Sequence, residues 1–210
     1  MNTKNNSNKI ILLSVLSIIF VAITFLIVNN NGFVINFDGQ TKTFIENIRL
    51  PYLDSMMLFV TKLGNVYEAL FIFSLFAIIL LINKKKDQFW GLVMASALGA
   101  GLPQIIKVIV HRARPISSML TETDTSFPSG HATLATVFIL TSIILIAPLI
   151  KNKILKIIFI SITSIVFTLV AFSRIYLSVH WTSDVFAGIL LGIISFFTAI
   201  LCCQEKKNVL

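Results

Sequence analysis

Charge is the scarcest property of this sequence. Charged residues make up 12% of its 210 residues and hydrophobic residues 56%, and the mean hydropathy is +0.91. Soluble globular proteins carry about a quarter charged residues, so this composition excludes an ordinary soluble domain. It predicts a protein that lies in a lipid bilayer.

Cysteine is also scarce, and no repeat, low-complexity tract or long hydrophilic linker divides the chain. The two cysteines, Cys202 and Cys203, are adjacent, so they provide no disulfide framework. We interpret them as small packing residues rather than sites of reversible acylation. Without a linker, the simplest organisation is a single membrane domain over residues 1–210.

Apolar runs of about 20 residues, the length that spans a bilayer as a helix, recur along the whole chain. The first is too long for a cleaved signal peptide and no A-x-A-like site follows it, so we interpret it as a membrane helix. The predicted fold class is therefore all-α, a six-helix transmembrane bundle. Its helices are predicted at residues 10–28, 66–82, 89–110, 132–150, 154–172 and 183–203.

The longest predicted loop, residues 29–65, contains an amphipathic pattern. Apolar residues recur there at helical spacing with polar residues between them, and they are Leu53, Met56, Met57, Val60 and Leu63. This pattern predicts a helical segment at the outer membrane interface, which packs against the bundle or covers a site.

The formal net charge of +8 is distributed in a way that argues against nucleic acid as a partner. Lysines cluster at 84–86, 151–156 and 206–207, which are alternate loops and the tail. Lysine-rich loops face the cytoplasm. We therefore expect both termini to be cytoplasmic and the loops after the first, third and fifth helices to lie outside.

Two of those outer loops carry basic residues on the side where such residues are normally sparse. Lys107 and Arg114 leave the third helix in KVIVHRARP, and Arg174, His180 and Asp184 follow the fifth in SRIYLSVHWTSD. A third segment, TSFPSGHATLA, places Ser129, Gly130 and His131 where the fourth helix begins. Three separate segments thus bring polar side chains to one membrane face.

These residue types have the chemistry of a phosphate site. Guanidinium groups bind phosphate oxygens with two parallel hydrogen bonds, and lysine adds a compact charge. The start of a helix leaves backbone N–H groups free to bind an anion. The candidate phosphate-binding residues are therefore Lys107, Arg114, Ser129, Gly130 and Arg174.

The histidines supply the candidate catalytic groups. Asp184 follows His180 by four residues, a spacing that allows a carboxylate to fix the tautomer of the imidazole. His180 is then a plausible nucleophile toward phosphorus, and His131 the acid that protonates the leaving oxygen. The residues between Lys107 and Arg114, His111 and Arg112, are interpreted as loop residues or as extra charge for a diphosphate.

Small residues predict how the helices that carry these groups pack. Gly188 and Gly192 form a G-x-x-x-G pattern in the sixth helix, and Gly91 and Gly99 lie in the third. Such stripes allow close helix contact in membranes. We expect packing of the third helix on the sixth to bring Lys107 toward Asp184.

Metal binding is the competing use of histidine and aspartate. The basic side chains around the two histidines and the one aspartate would repel a divalent cation, and the outer acids Glu122 and Asp124 are too few to reverse that repulsion. We therefore expect no metal and no cofactor.

In these residues the sequence resembles the type 2 phosphatidic acid phosphatases (PAP2), whose superfamily includes the vanadium haloperoxidases. The family pattern K-x6-R-P, P-S-G-H and S-R-x5-H-x3-D is complete here. The resemblance implies that His180 forms a phosphohistidine supported by Asp184, and that His131 acts first as acid and then as base for water. The phosphate-binding residues would stabilise the transition state without metal.

The resemblance also implies a substrate class and a location. Small bacterial members of the family act on phosphatidylglycerol phosphate, phosphatidic acid or isoprenyl diphosphates such as undecaprenyl diphosphate. We expect a lipid phosphatase in a bacterial plasma membrane with an extracytoplasmic active site. Two alternatives remain open, namely a lipid phosphotransferase that uses the same site and a non-enzymatic anion transporter or channel. The membrane composition argues against a soluble haloperoxidase.

Overall fold

The computed structural model describes residues 3–205, with side chains from residue 10 to residue 203. These residues form eight α-helices and no strand. The helices are α1 (Thr3–Val28), α2 (Gly32–Asn47), α3 (Pro51–Lys62), α4 (Val66–Ile82), α5 (Lys86–Val110), α6 (Gly130–Leu140), α7 (Lys153–Tyr176) and α8 (Thr182–Glu205). A π-helical stretch (Thr141–Ile146) and a 3-10 turn (Ala147–Leu149) continue α6. The predicted all-α class is confirmed.

Five helical segments are long and apolar enough to cross a membrane. They are α1, α5, α6 with its π and 3-10 continuation, α7 and α8. The helix α4 has 17 residues, and at about 1.5 Å per residue it falls a little short of a hydrocarbon core roughly 30 Å thick. It meets α3 at a bend of 57°, and the candidate spans number six only when this bent pair is counted as one. The transmembrane bundle is therefore confirmed, with α3 and α4 as a bent candidate for its second crossing.

The helix α3 is the predicted amphipathic segment. Met57 is 4% exposed and packs with Ile45, Tyr176 and Leu177, whereas Phe59 on the other face is 68% exposed. The preceding helix, α2, was not predicted. Its apolar residues lie on both faces, since Ile45 is buried and Phe44 is exposed, so the sequence lacks the clear periodicity that predicts a helix.

Four helix ends meet at one end of the bundle. The chain leaves α5 through His111, whose φ of 50° lies in the left-handed region that commonly ends a helix. It crosses the end of the bundle as an irregular segment, residues 112–129, until Ser129 caps α6 by accepting a hydrogen bond from the N–H of Ala132. The turn 177–181 joins α7 to α8 at the same end.

The glycines of α8 pack against α6. A side-chain carbon at Gly188 or Gly192 would lie 2.5 or 2.6 Å from a backbone oxygen at the start of α6. The helix α5 does pack along α8, and Gly91 faces α8, but Gly99 faces α6. The predicted packing of the third helix on the sixth is therefore present, but the part assigned to the glycines is corrected, because only Gly91 lies at that contact while Gly99, Gly188 and Gly192 face α6.

Candidate active site

A cavity of about 510 Å³ opens among these helix ends. Six of the predicted site residues line it, namely Lys107, Arg114, Gly130, His131, Arg174 and His180. The other two, Ser129 and Asp184, are fully buried. The fold thus gathers residues from three separate segments of the chain around one cavity.

His180 lies in the turn between α7 and α8 and is 3% exposed. Its Nε2 is 3.3 Å from Nη1 of Arg114. Because a guanidinium group has only donors, Nε2 is the acceptor and the ring proton lies on Nδ1. That nitrogen is 3.4 Å from Oγ of Ser126 and 3.6 Å from Oδ2 of Asp184. In this tautomer the lone pair of Nε2 faces Arg114.

Asp184 supports His180 from a buried position. Its Oδ2 accepts hydrogen bonds from Oγ of Ser126 and from the N–H of Trp181, the latter at 2.9 Å. Since 3.6 Å exceeds a normal hydrogen-bond length, Asp184 acts on His180 through its charge and through Ser126, which contacts both. Sequence reasoning missed Ser126, because a serine two residues before a proline gives no specific signal.

The environment of His180 keeps its imidazole uncharged at neutral pH. Burial lowers the pKa of His180 to about 4, with the nearby Arg174 and Arg114 adding to the lowering and Asp184 opposing it. A neutral imidazole has the free lone pair that a nucleophile requires. The geometry and the electrostatics therefore favour the same role.

Each cation of the cavity is paired with a carboxylate of the irregular segment 112–129. Lys107 and Arg114 both bind Asp124, and Arg174 binds Glu122. Burial alone would raise the pKa of Asp124, but hydrogen bonds from Lys107 and Arg114 outweigh it and hold the pKa below its usual value. Sequence reasoning considers these acids only as too few to offset the repulsion of a divalent cation and does not predict that they pair with the cations of the site.

The arginines also have neutral partners that fix their direction. Nη1 of Arg114 donates to the carbonyl of Val179 at 2.6 Å, and Nη1 of Arg174 donates to Oγ1 of Thr61 at 2.7 Å. Thr61 belongs to α3 and lies outside the sequence pattern. The expected approach of Lys107 to Asp184 does not lead to a bond between them, since Lys107 binds Asp124.

His131 occupies the first turn of α6, where the bend between α3 and α4 closes on it. Its Nε2 is 3.3 Å from Oδ1 of Asn65, and its ring packs against Gly64 so closely that a side-chain carbon there would overlap it. Neither residue was predicted, because glycine and asparagine are ordinary in a turn. The bent second crossing therefore forms one wall of the site.

Ser129 and Gly130 have different surroundings. The hydroxyl of Ser129 caps α6, and its backbone N–H donates to the carbonyl of Asp184 at 3.1 Å. Gly130 faces the cavity, and its N–H belongs to the first turn, where no helical carbonyl precedes it. The backbone at Gly130 is thus better placed to meet an anion than the side chain of Ser129.

His111 and Arg112, which lie between Lys107 and Arg114, also have different surroundings. His111 is exposed and ends α5. Arg112 is the first residue of the irregular segment, in agreement with its interpretation as a loop residue. Its side chain donates to Asp184 at 2.5 Å and to Asp38 of α2 at 2.7 Å, so it is bound to carboxylates behind the cavity rather than serving as extra charge for a diphosphate.

Within residues 3–205, no group of three or more histidine, cysteine, aspartate or glutamate side chains is arranged to hold a metal ion. The carboxylates nearest the cavity are already bound to cations. Catalysis without a metal ion therefore stays a prediction.

Comparison with known proteins gives consistent matches. Residues 88–208 match the family model of the PAP2 superfamily. Phosphatidylglycerophosphatase B of Bacillus subtilis is 33% identical over 159 residues, which cover 71% of this chain and 75% of that protein. Undecaprenyl-diphosphatase of Sulfolobus acidocaldarius is 30% identical over 165 residues, covering 75% of this chain and 74% of that protein.

Solved structures match over much of the fold. The crystal structure of a transmembrane PAP2 type phosphatidylglycerolphosphate phosphatase from Bacillus subtilis superposes with a TM-score of 0.79 at 26% identity, covering 92% of this chain and 96% of that one. The crystal structure of LpxE from Aquifex aeolicus gives a TM-score of 0.61 at 27% identity and covers 77% and 93% of the two chains.

Proposed function

Since this chain belongs to the PAP2 superfamily, we propose that it is an integral-membrane lipid phosphatase that works through a covalent phosphohistidine and without metal. The observation that carries the proposal is the single cavity lined by two histidines and three cationic side chains. A small neighbouring cavity is lined by His180 and Lys42, but none of the other described cavities is lined by both histidines or by more than one cationic side chain.

The first chemical step assigns a role to each histidine. Nε2 of His180 attacks phosphorus, an N–P bond forms, and the P–O bond to the leaving group breaks. His131 gives its proton to the leaving oxygen. In the second step water attacks phosphorus, the N–P bond breaks, and the water proton passes to His131, which restores both residues.

The cations stabilise the charge that builds on the phosphoryl oxygens. Lys107, Arg114 and Arg174 would exchange their carboxylate partners for the phosphate, and the N–H groups at the start of α6 would add donors. Ser129 supports this site as a helix cap and Asp184 as the partner of His180. Once they hold the phosphate, these donors need not reorganise during the chemical steps.

An adjoining groove gives the tail of a lipid a place to lie. It has a volume of about 310 Å³, is lined almost wholly by apolar side chains of α4, α5 and α6, and shares Val66, Ala100 and Leu134 with the active-site cavity. A substrate could keep its hydrocarbon chain there while its phosphate enters the cavity. This continuity supports a lipid substrate over a soluble phosphate ester.

The charge distribution supports an extracytoplasmic site. The lysines at 84–86 and 151–156 lie at the turns opposite the cavity end of the bundle, which is the distribution of a cytoplasmic face. The basic tail at 206–207 and the two chain ends lie outside the described residues. We propose cytoplasmic termini, one domain over residues 1–210, and a site on the outer face of a bacterial plasma membrane.

The relatives suggest which substrates to test. One is named for phosphatidylglycerol phosphate and another for undecaprenyl diphosphate, and phosphatidic acid is a third candidate. Phosphate release by the detergent-purified protein in EDTA would be measured with the three lipids side by side. His180→Ala tests the nucleophile, and His111→Asn is the matched control, since His111 is exposed and asparagine tolerates its left-handed backbone.

We expect release from at least one lipid by the wild type and by His111→Asn, and none by His180→Ala. Release that requires added metal would contradict metal-independent catalysis, and release that persists in His180→Ala would contradict the phosphohistidine. Transfer seen only when an acceptor lipid is present would identify a phosphotransferase. Anion flux that survives His180→Ala, with no release, would identify a transporter.

A further inference from the structure

A buried ionic network outside the sequence pattern connects α2 to the catalytic aspartate. Arg112 lies between two carboxylates: Nη1 donates to Oδ1 of Asp184 at 2.5 Å and Nη2 donates to Oδ2 of Asp38 at 2.7 Å. Asp38 also accepts from the hydroxyl of Ser183 at 2.6 Å and from its N–H at 2.9 Å. The network therefore joins α2, the segment after α5 and the start of α8.

The burial of this network gives it more weight than a surface ion pair. Asp38 is 2% exposed, Asp184 is fully buried, and the side chain of Arg112 is 15% exposed. A buried charge is tolerated only when it is paired and hydrogen-bonded. The planar fork of an arginine presents donors at fixed positions to two carboxylates on different sides, whereas the ammonium group of a lysine is a single compact charge on a flexible stem.

The direction of each bond matters for His180. Arg112 holds Oδ1 of Asp184, so Oδ2 is left to face Ser126 and the Nδ1 side of His180. If Arg112 were free, the carboxylate could rotate and the imidazole would lose its fixed orientation. The guanidinium charge alone would also weaken the support that Asp184 gives to a cationic phosphohistidine, and Asp38 offsets that charge.

We propose that Asp38 and Arg112 are positioning residues for the nucleophile: through Asp184 they hold His180 in the orientation and charge environment needed for transfer of the phosphoryl group. This rests on the proposed phosphohistidine mechanism. Asp38 lies on α2, which the sequence pattern does not include, so the proposal assigns that helix a part in the reaction.

A structural role and a positioning role predict different kinetics. Loss of positioning slows the chemical step and leaves substrate binding intact, so kcat falls while KM changes little. Loss of folding lowers the amount of active protein and its thermal stability. Asp38→Asn keeps the shape of the side chain and removes its charge, and Arg112→Lys keeps the charge but reaches one carboxylate only.

The experiment is rapid-quench labelling of the full-length protein in detergent with a lipid substrate carrying radioactive phosphate, together with steady-state kcat and KM and a thermal melt. Glu46→Gln is the matched control, since Glu46 is another carboxylate of α2 that pairs with Lys42 and Ser117 at the surface. We expect Asp38→Asn and Arg112→Lys to lower the labelling rate and kcat about 10- to 100-fold, as for groups that orient a reactive histidine, with KM within about twofold.

A double variant tests whether Asp38 acts through Arg112. If it does, the double variant Asp38→Asn with Arg112→Gln loses little more activity than Arg112→Gln measured alone, because the two losses are not additive for residues in one network. The positioning role would be overturned by full additivity of the two losses or by wild-type labelling in Asp38→Asn. It would also be overturned if a lower melting temperature, and hence a smaller amount of folded protein, accounted for the whole fall in kcat. Absence of label in the wild type would instead overturn the phosphohistidine itself, and the positioning role with it.

Discussion

Arg114 donates a hydrogen bond from Nη1 to Nε2 of His180 across 3.3 Å. The bond fixes the imidazole proton on Nδ1 and occupies the nitrogen that would attack phosphorus. Arg114 also binds Asp124, so one guanidinium connects the proposed nucleophile to a carboxylate of the cavity. Arrival of a phosphate would move Arg114 from both partners to the phosphoryl oxygens and free Nε2 at the same time.

The first prediction concerns the titration of His180. Burial lowers its pKa to about 4, so we expect the ring to stay neutral, with its proton on Nδ1, from neutral pH down to near that value. Histidine-labelled protein in detergent, studied by NMR, measures this directly, and the variants His111→Asn and His131→Gln assign the signals. A midpoint near the ordinary value of 6.5 would contradict the burial seen here.

The same shift makes folding stability depend on pH. Between the ordinary value of 6.5 and about 4, the unfolded chain binds a proton at His180 that the folded protein does not. Stability from this group is therefore fully present above 6.5 and decreases as the pH falls toward 4. His180→Gln is expected to melt with a smaller acid dependence over that interval than the wild type.

The second prediction separates the charge of Arg174 from its shape. Arg174 binds Thr61 with one nitrogen and Glu122 with another, and a lysine cannot keep that orientation and also bind phosphate with two parallel bonds. We expect Arg174→Lys to lose activity by about 100-fold in kcat, the effect typical of one lost transition-state donor. Lys153→Arg, at the opposite end of the bundle, is the control. Near-normal turnover by Arg174→Lys would remove Arg174 from the site.

Sequence alone could predict the spanning helices and the cluster of site residues for clear physical reasons. A helix that crosses a bilayer needs a long apolar run, and the run is visible in the sequence whatever its neighbours are. Five of the site residues stand at or near the ends of such runs: Lys107, Arg114, His131, Arg174 and His180. Because successive membrane helices run in opposite directions, these ends are predicted to lie on the same membrane face. The cavity that they line has the composition that the pattern predicted.

The parts that could not be predicted depend on contacts between distant segments. Asp38 looks like any polar residue of an interfacial helix until Arg112 and Ser183 are seen to bind it. Gly64 and Asn65 look like a turn until α3 and α4 bend over His131. In each case the residue type is common in its local setting, and only its contact with a distant segment shows that it belongs to the site.

The third prediction concerns the carboxylates that pair with the cations. Asp124 competes with phosphate for Lys107 and Arg114, so its removal favours anion binding. We expect Asp124→Asn to be inhibited by inorganic phosphate at about tenfold lower concentration, a difference near 1.4 kcal/mol in binding free energy. Phosphate inhibition of turnover gives the measurement, and Glu46→Gln should match the wild type. An unchanged inhibition constant would show that Asp124 does not compete with phosphate for these cations.

The last prediction tests the wall formed by the bend between α3 and α4. A methyl group at Gly64 would overlap the imidazole of His131 and also lie 3.0 Å from Val170. The crowded ring must turn away from Asn65 and from the cavity, so proton delivery to the leaving oxygen suffers first. We expect Gly64→Ala to lower kcat by about 10- to 100-fold, because general acid catalysis contributes about 10²- to 10⁴-fold.

The matched control for that variant is Gly101→Ala, where a methyl group would meet open space. A substrate whose leaving group needs no protonation separates the two explanations for a slow variant. If His131 alone is displaced, an activated aryl phosphate ester should release its phenol in the first turnover of Gly64→Ala at close to the wild-type rate while the natural lipid does not react, although the later hydrolysis of the phosphohistidine, which also uses His131, stays slow. If both substrates slow equally, the methyl group has disturbed the nucleophile or the cations as well, and the bend acts on the whole site rather than on its acid.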